Sequence, residues 1–102
     1  MSLKLDKVSI SKNIEWNEDK NKQLLVERGV GFEEIVVAIQ NGRLLGVTKG
    51  KEPKYTHQHV FVVFVDGYTY AVPFVEDADK IFLKTIYPSR VLHKQYKGDS
   101  IK

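Results

Sequence analysis

The chain contains no cysteine. That excludes a disulfide scaffold, a thiol nucleophile and any zinc site that needs thiolate ligands. No stretch approaches the run of about 18 apolar residues that would mark a membrane-spanning helix. The opening Met1-Ser2-Leu3-Lys4-Leu5-Asp6-Lys7 lacks the apolar core of a secretory signal, so the expectation is a cytoplasmic protein with no membrane association. Gly29-Val30-Gly31 has neither the preceding strand nor the Lys-Ser/Thr ending of a phosphate-cradling loop. Serine-hydrolase chemistry has no nucleophile elbow to stand on. Strong net charge is missing too: sixteen basic residues face thirteen acidic ones, a balance of +3.

What is present suffices for one domain. A chain of 102 residues with 42% hydrophobic and 11% aromatic content can bury a core without metals or disulfides as staples. Residues 1–13 alternate loosely and are expected to be a lead-in, partly disordered or an edge strand. Residues 14–102 are expected to form the single domain. The basic excess is uneven: residues 1–83 hold eleven Lys/Arg against twelve Asp/Glu, whereas residues 84–102 hold five Lys/Arg against Asp99 alone. A polyanion responds to such local density. A solvated chain end has the same composition.

Two helices are expected first. Asn17 is a good N-cap for a helix over Glu18–Arg28, with Glu18 and Asp19 in its first turn and Gly29 to close it. Asn21, Leu24, Leu25 and Arg28 share one face of it. Gly31 opens a second helix, with Glu34 able to reach back to the cap's N–H; Phe32, Ile35, Val36 and Ile39 form its buried stripe, and Asn41-Gly42 ends it.

From residue 43 the period shortens. Leu44–Thr48 reads as a strand, 49–54 as a loop, and Gln58–Val65 as a central strand. Asp66-Gly67 predicts a two-residue type I′ hairpin into Tyr68–Val75. Pro73 lacks a backbone donor, which points to an edge or a bulge at that end. Ile81–Tyr87 is the expected last strand, ended by Pro88, and Ser89 caps a short helix over Arg90–Lys97. The predicted fold class is α+β: two N-terminal helices packed on a three- to four-stranded antiparallel sheet with a short C-terminal helix.

The terminal helix carries the most chemistry. At about 100° per residue, Arg90, His93, Lys94 and Lys97 fall on one stripe, with Leu92 and Tyr96 opposite and free to pack on the sheet. Lys84 and Tyr87 precede it. Cations to neutralise phosphate, an imidazole to move protons and a phenol to stack or share a proton suit a phosphodiester ligand. An ordinary amphipathic helix with its lysines in water has the same pattern. His57 and His59 share a strand face but lack a third ligand at metal-site spacing, so no metal and no cofactor is expected. Asp77 and Asp79 read as turn formers.

Trp16, Lys20-Asn21, Gly29-Val30 and Phe32-Glu33-Glu34 resemble the opening of the BrnT toxins of type II toxin–antitoxin systems, which have a RelE/ParE-like fold. The likeness runs without a gap from Glu15 to Ile35, about a fifth of the chain. Tyr68 stands where that family commonly has Arg after the hairpin, and Ser89-Arg90 replaces its double Arg. The resemblance implies a metal-independent endoribonuclease that blocks translation. It also implies a small ribbon-helix-helix antitoxin as partner, with operator DNA reached only through that antitoxin, in a homo- or hetero-oligomer.

On this reading Arg90, Lys84 and Lys94 stabilise phosphate, and His93 or His59 transfers the proton. Tyr87 stacks or shares a proton, and Lys97 and His57 extend the RNA contact. A module that binds nucleic acid or an acidic protein on the same basic face, cutting nothing, is the alternative. A plain structural or assembly domain is the third.

Overall fold

The computed structural model describes residues 13–49 and 59–97. His57, and all but one residue each of the loop expected at 49–54 and the lead-in expected at 1–13, lie outside them; Lys49 and Asn13 fall in strands. Within the described residues the elements run in chain order as strand β1 (Asn13–Trp16), helices α1 (Glu18–Arg28) and α2 (Phe32–Gln40), and strands β2 (Leu44–Lys49), β3 (His59–Val65), β4 (Tyr68–Glu76), β5 (Lys80–Leu83) and β6 (Tyr87–Pro88). One helical turn, α3 (Arg90–Leu92), then opens into a π-helical segment, His93–Lys97.

The local signals act where they stand. Asn17 Oδ1 accepts from Lys20 N–H at 2.9 Å, and Gly29 closes α1 in the left-handed region at φ +72°. Only Asn21 and Leu24 of α1 are buried, while Leu25 and Arg28 are exposed. The expected four-residue face is therefore narrower, and α1 lies at the rim of the core. In α2, Phe32, Ile35, Val36, Ala38 and Ile39 are all buried. Fully burying side chains of this size contributes about 1.5–3 kcal/mol each. Asn21 joins the two helices: its Oδ1 accepts from Phe32 N–H at 2.8 Å, which satisfies a donor at the start of α2. Gly31 allows that approach, since a Cβ there would lie 2.8 Å from the same oxygen.

The sheet corrects the predicted fold class. It has six strands and mixed pairing, in the order β1-β5-β4-β3-β2 with β6 also on β4. The expected RelE/ParE-like layout, with three or four antiparallel strands, is not what the chain forms. β1 pairs parallel to β5, Ile14 opposite Ile81 and Trp16 opposite Leu83. Ile14 is fully buried, and Trp16 stacks on Phe32 with ring centroids 5.7 Å apart. Two apolar residues in four are too short a pattern to declare a strand from sequence. Their pairing partner lies more than sixty residues on, beyond anything local.

The expected strand Ile81–Tyr87 is divided. β5 pairs with Phe74–Glu76 of β4, and β6 pairs with Tyr70 and Ala71 on the same side. Between them Lys84 N–H donates to the Pro73 carbonyl at 2.8 Å, but Pro73 has no proton to return. The missing donor thus interrupts the ladder. Pro73 stands inside the sheet, on a strand flanked on both sides; of the expected edge or bulge it is the irregularity that forms, the register slipping by one residue between Phe74–Leu83 and Ala71–Tyr87.

Two apolar layers result. One, between the sheet and α1–α2, includes Ile14, Leu24, Phe32, Ile39, Phe61, Val72, Phe74 and Ile81. The other, on the opposite face, joins Val60, Val62 and Ala71 to Leu92, with Leu45 and Tyr96 packed against them. Tyr96 lies so near β2 that a Cβ on Gly46 would come within 2.7 Å of its ring. That second layer fixes the C-terminal helix against the sheet. No described helix is long and apolar enough to cross a membrane.

Candidate functional site

The site is assembled where β6 hands over to α3. Ser89 N–H donates to the Thr69 carbonyl at 3.1 Å, tying the helix start to β4. Ser89 Oγ accepts from Leu92 N–H at 3.2 Å, and His93 N–H donates to the Ser89 carbonyl at 2.9 Å. These bonds set His93 over the hairpin end of β3 and β4. There Thr69, opposite Phe64 in the register and fully buried, presents Oγ1 to His93 Nδ1 at 2.9 Å. A buried hydroxyl left without a partner costs about 1–3 kcal/mol, so this bond holds the ring firmly.

Three more rings complete the setting. Tyr68 stacks on the imidazole with centroids 4.2 Å apart and 20° between planes. Phe64 lies 6.5 Å away and nearly parallel, and Tyr70 meets Tyr68 edge-on at 6.2 Å. His93 is therefore half-enclosed, its Nδ1 engaged. Among the described residues no hydrogen bond is formed to its Nε2.

Arg90 opens α3 and Lys94 follows His93 in the π-helical segment, both exposed and, among the described residues, in no ion pair. The 100° stripe expected for Arg90, His93, Lys94 and Lys97 holds only through α3. From His93 the backbone widens into the π form, which recurs at functional sites. The backbone of Lys97 closes that segment. Tyr87 is 40% exposed and pairs with Ala71, two residues before the Ser89 cap.

Lys84 is exposed, with Nζ 5.7 Å from the Phe82 ring centroid. Because Ile81 and Leu83 enter the α1–α2 core, strand alternation puts Phe82 on the α3 face of the sheet. Lys84 is anchored at Pro73, four residues along β4 from Thr69, or roughly 13 Å away.

His59 is elsewhere. It shares parity with Phe61 and Val63 of the α1–α2 core and stacks on Phe74 at 5.9 Å. It stands on the other sheet face, roughly 17 Å along β3 from Phe64. His59 and His93 do not act on one bond. His57 lies outside the described residues. Asp77 makes a turn, Oδ1 accepting from the N–H groups of Asp79 and Lys80.

No family model, curated protein or solved structure matches this chain. The site geometry includes three side chains that sequence reasoning passed over as site residues. Thr69, Phe64 and Tyr68 read as ordinary strand formers, and the one signal was a threonine at a position the fold buries completely. Chemically, the arrangement offers an oriented imidazole, two cations beside it and an exposed phenol close in sequence. Among the described residues no group of three His, Cys, Asp or Glu is placed to hold a metal ion.

Proposed function

We propose that this chain is the toxin component of a toxin–antitoxin pair and that it acts on RNA at the His93 site, cleaving without a metal ion. The carrying observation is His93, held by the buried Thr69 hydroxyl, with the exposed cations Arg90 and Lys94 three residues before it and one after it in sequence. The likeness of Trp16, Lys20-Asn21 and Phe32-Glu33-Glu34 to the BrnT toxins supports the same reading.

In such a reaction the ribose 2′-OH passes its proton to solvent water as its oxygen bonds to phosphorus. The phosphorus–5′-oxygen bond then breaks and the leaving oxygen gains a proton, giving a 2′,3′-cyclic phosphate and a 5′-OH. Arg90 and Lys94 neutralise the charge that builds on the pentacovalent phosphate, and Lys84 steadies a neighbouring phosphate. His93 is the imidazole at the reacting group, and Tyr87 is exposed for stacking or proton sharing. An acidic or amphipathic antitoxin segment suits the cationic helix as an inhibitor.

The test is incubation of purified protein with single-stranded RNA in chelator, followed by end-group analysis. Cyclic phosphate ends that vanish in the combined Arg90→Ala, His93→Ala, Lys94→Ala variant support the reading; cleavage that survives this variant ends the site assignment. A second reading, RNA binding without cleavage, is favoured by the separation of His59 from His93, which leaves one imidazole where two would make an acid–base pair. Its signature is salt-sensitive binding with the RNA recovered intact.

A further inference from the structure

The proton on the Thr69 hydroxyl decides what His93 can do. Thr69 is fully buried, and among the described residues its side chain has one hydrogen-bond partner, His93 Nδ1 at 2.9 Å. No buried side-chain nitrogen or oxygen is left unpaired among the described residues. A hydroxyl carries one proton and two lone pairs, and a buried proton must find an acceptor. If Nδ1 carried a hydrogen it would donate to an Oγ1 lone pair, and the hydroxyl proton would then have no acceptor among the described residues. Nδ1 is therefore the acceptor, and in the neutral ring the hydrogen sits on Nε2.

Tyr68 narrows the role further. Its ring covers one face of the imidazole at 4.2 Å, so that face offers no platform for a nucleobase. The unused polar atom is Nε2, and the two cations nearest in sequence, Arg90 and Lys94, select an anionic ligand.

We infer that His93 is a hydrogen-bond donor through Nε2 to a phosphodiester oxygen of RNA, with Thr69 as the positioning residue that holds the ring in that tautomer. The ligand half of this inference rests on the RNA reading above; the tautomer does not. His93 then binds the phosphate group and does not take the proton from the 2′-OH. Nucleobases stack instead on exposed aromatic surface, of which Tyr87 is the nearest in sequence.

Long-range proton–nitrogen NMR on the full chain, in buffer alkaline enough to keep the ring neutral, tests it. The chain has three histidines, and His57→Gln and His59→Gln variants assign the third set of signals. The expected pattern is a protonated, pyrrole-type Nε2 and a pyridine-type Nδ1. A single-stranded RNA oligonucleotide should move the Nε2 signal. Thr69→Val should weaken binding of that oligonucleotide roughly 3- to 10-fold, the worth of one hydrogen bond, and Thr69→Ser should restore it. Inorganic phosphate alone should move Nε2 only weakly, since one ion meets fewer of the cations. A protonated Nδ1 in the wild-type chain overturns the tautomer and the donor role together. A pyrrole-type Nε2 that RNA leaves unmoved overturns the ligand and the RNA reading, and the Thr69–His93 arrangement stands without them. The wild-type spectrum decides the tautomer even if Thr69→Val fails to fold.

Discussion

At the scale of single residues, two buried polar side chains carry more of this protein than their number suggests. Asn21 and Thr69 are buried polar residues, and each ties one element to another. Asn21 receives Phe32 N–H on Oδ1 and donates through Nδ2 to Glu18 Oε1 at 3.1 Å, so one amide links the first turn of α1 to the first turn of α2. Asn21→Ala orphans the buried Phe32 N–H, and stability should fall by about 1–3 kcal/mol. Urea unfolding followed by circular dichroism reads that loss as a lower midpoint at unchanged slope. Thr69 does the corresponding work for the site. Its backbone receives Ser89 and its side chain engages His93, so α3 and the imidazole are held by the same residue.

At the scale of elements, what joins the C-terminal helix to the sheet is apolar. Leu92, 9% exposed, packs with Val60, Val62 and Ala71, while Tyr96 crosses Gly46. Truncating Leu92 to alanine removes most of that packing and should cost about 2–3 kcal/mol. Hydrogen exchange should show the loss confined to residues around β6 and α3, with the amides of α2 and β3 still protected, and RNA affinity should fall with it. Uniform loss of protection would mean that the second layer is not a separate unit. The elements that local chemistry governs were legible beforehand. Asp66 and Gly67 take φ +50° and +83°, as a type I′ turn requires, and the caps at Asn17 and Gly29 set the bounds of α1. Three features were not legible: the strand at Asn13–Trp16, the break between β5 and β6, and the π turn at His93. The first two depend on partners outside the local sequence, Ile81 and Pro73.

At the scale of the whole molecule, the cations differ in whether a carboxylate already answers them. Lys84, Arg90 and Lys94 are exposed and in no ion pair among the described residues, while Lys80 Nζ lies 3.5 Å from Glu15 Oε1. An exposed pair of that kind adds little to stability but already answers the lysine's charge locally. Binding of single-stranded RNA should weaken linearly with the logarithm of salt concentration. Lys94→Ala and Lys84→Ala should each reduce the slope by about 0.7, the value for one neutralised phosphate on a single strand. Lys80→Ala should leave it unchanged. Fluorescence anisotropy across a salt series measures all three, and equal slopes for the three variants would remove Lys84 and Lys94 as phosphate contacts.

The sequence by itself determined the two helices with their caps, the hairpin, the second apolar layer through Leu92 and Tyr96, and the basic character of the C-terminal end. Caps, turns and amphipathic periods are written over a few neighbouring residues, and their energies are local. Tertiary structure alone decided that β1 lies parallel to β5, that Pro73 interrupts the sheet from inside, and that His59 and His93 face opposite sides. It also decided that a strand threonine becomes the partner of an imidazole twenty-four residues away. These are matters of register and face. In a pleated sheet a shift of one residue reverses them, and long-range burial, not local preference, chooses between the two.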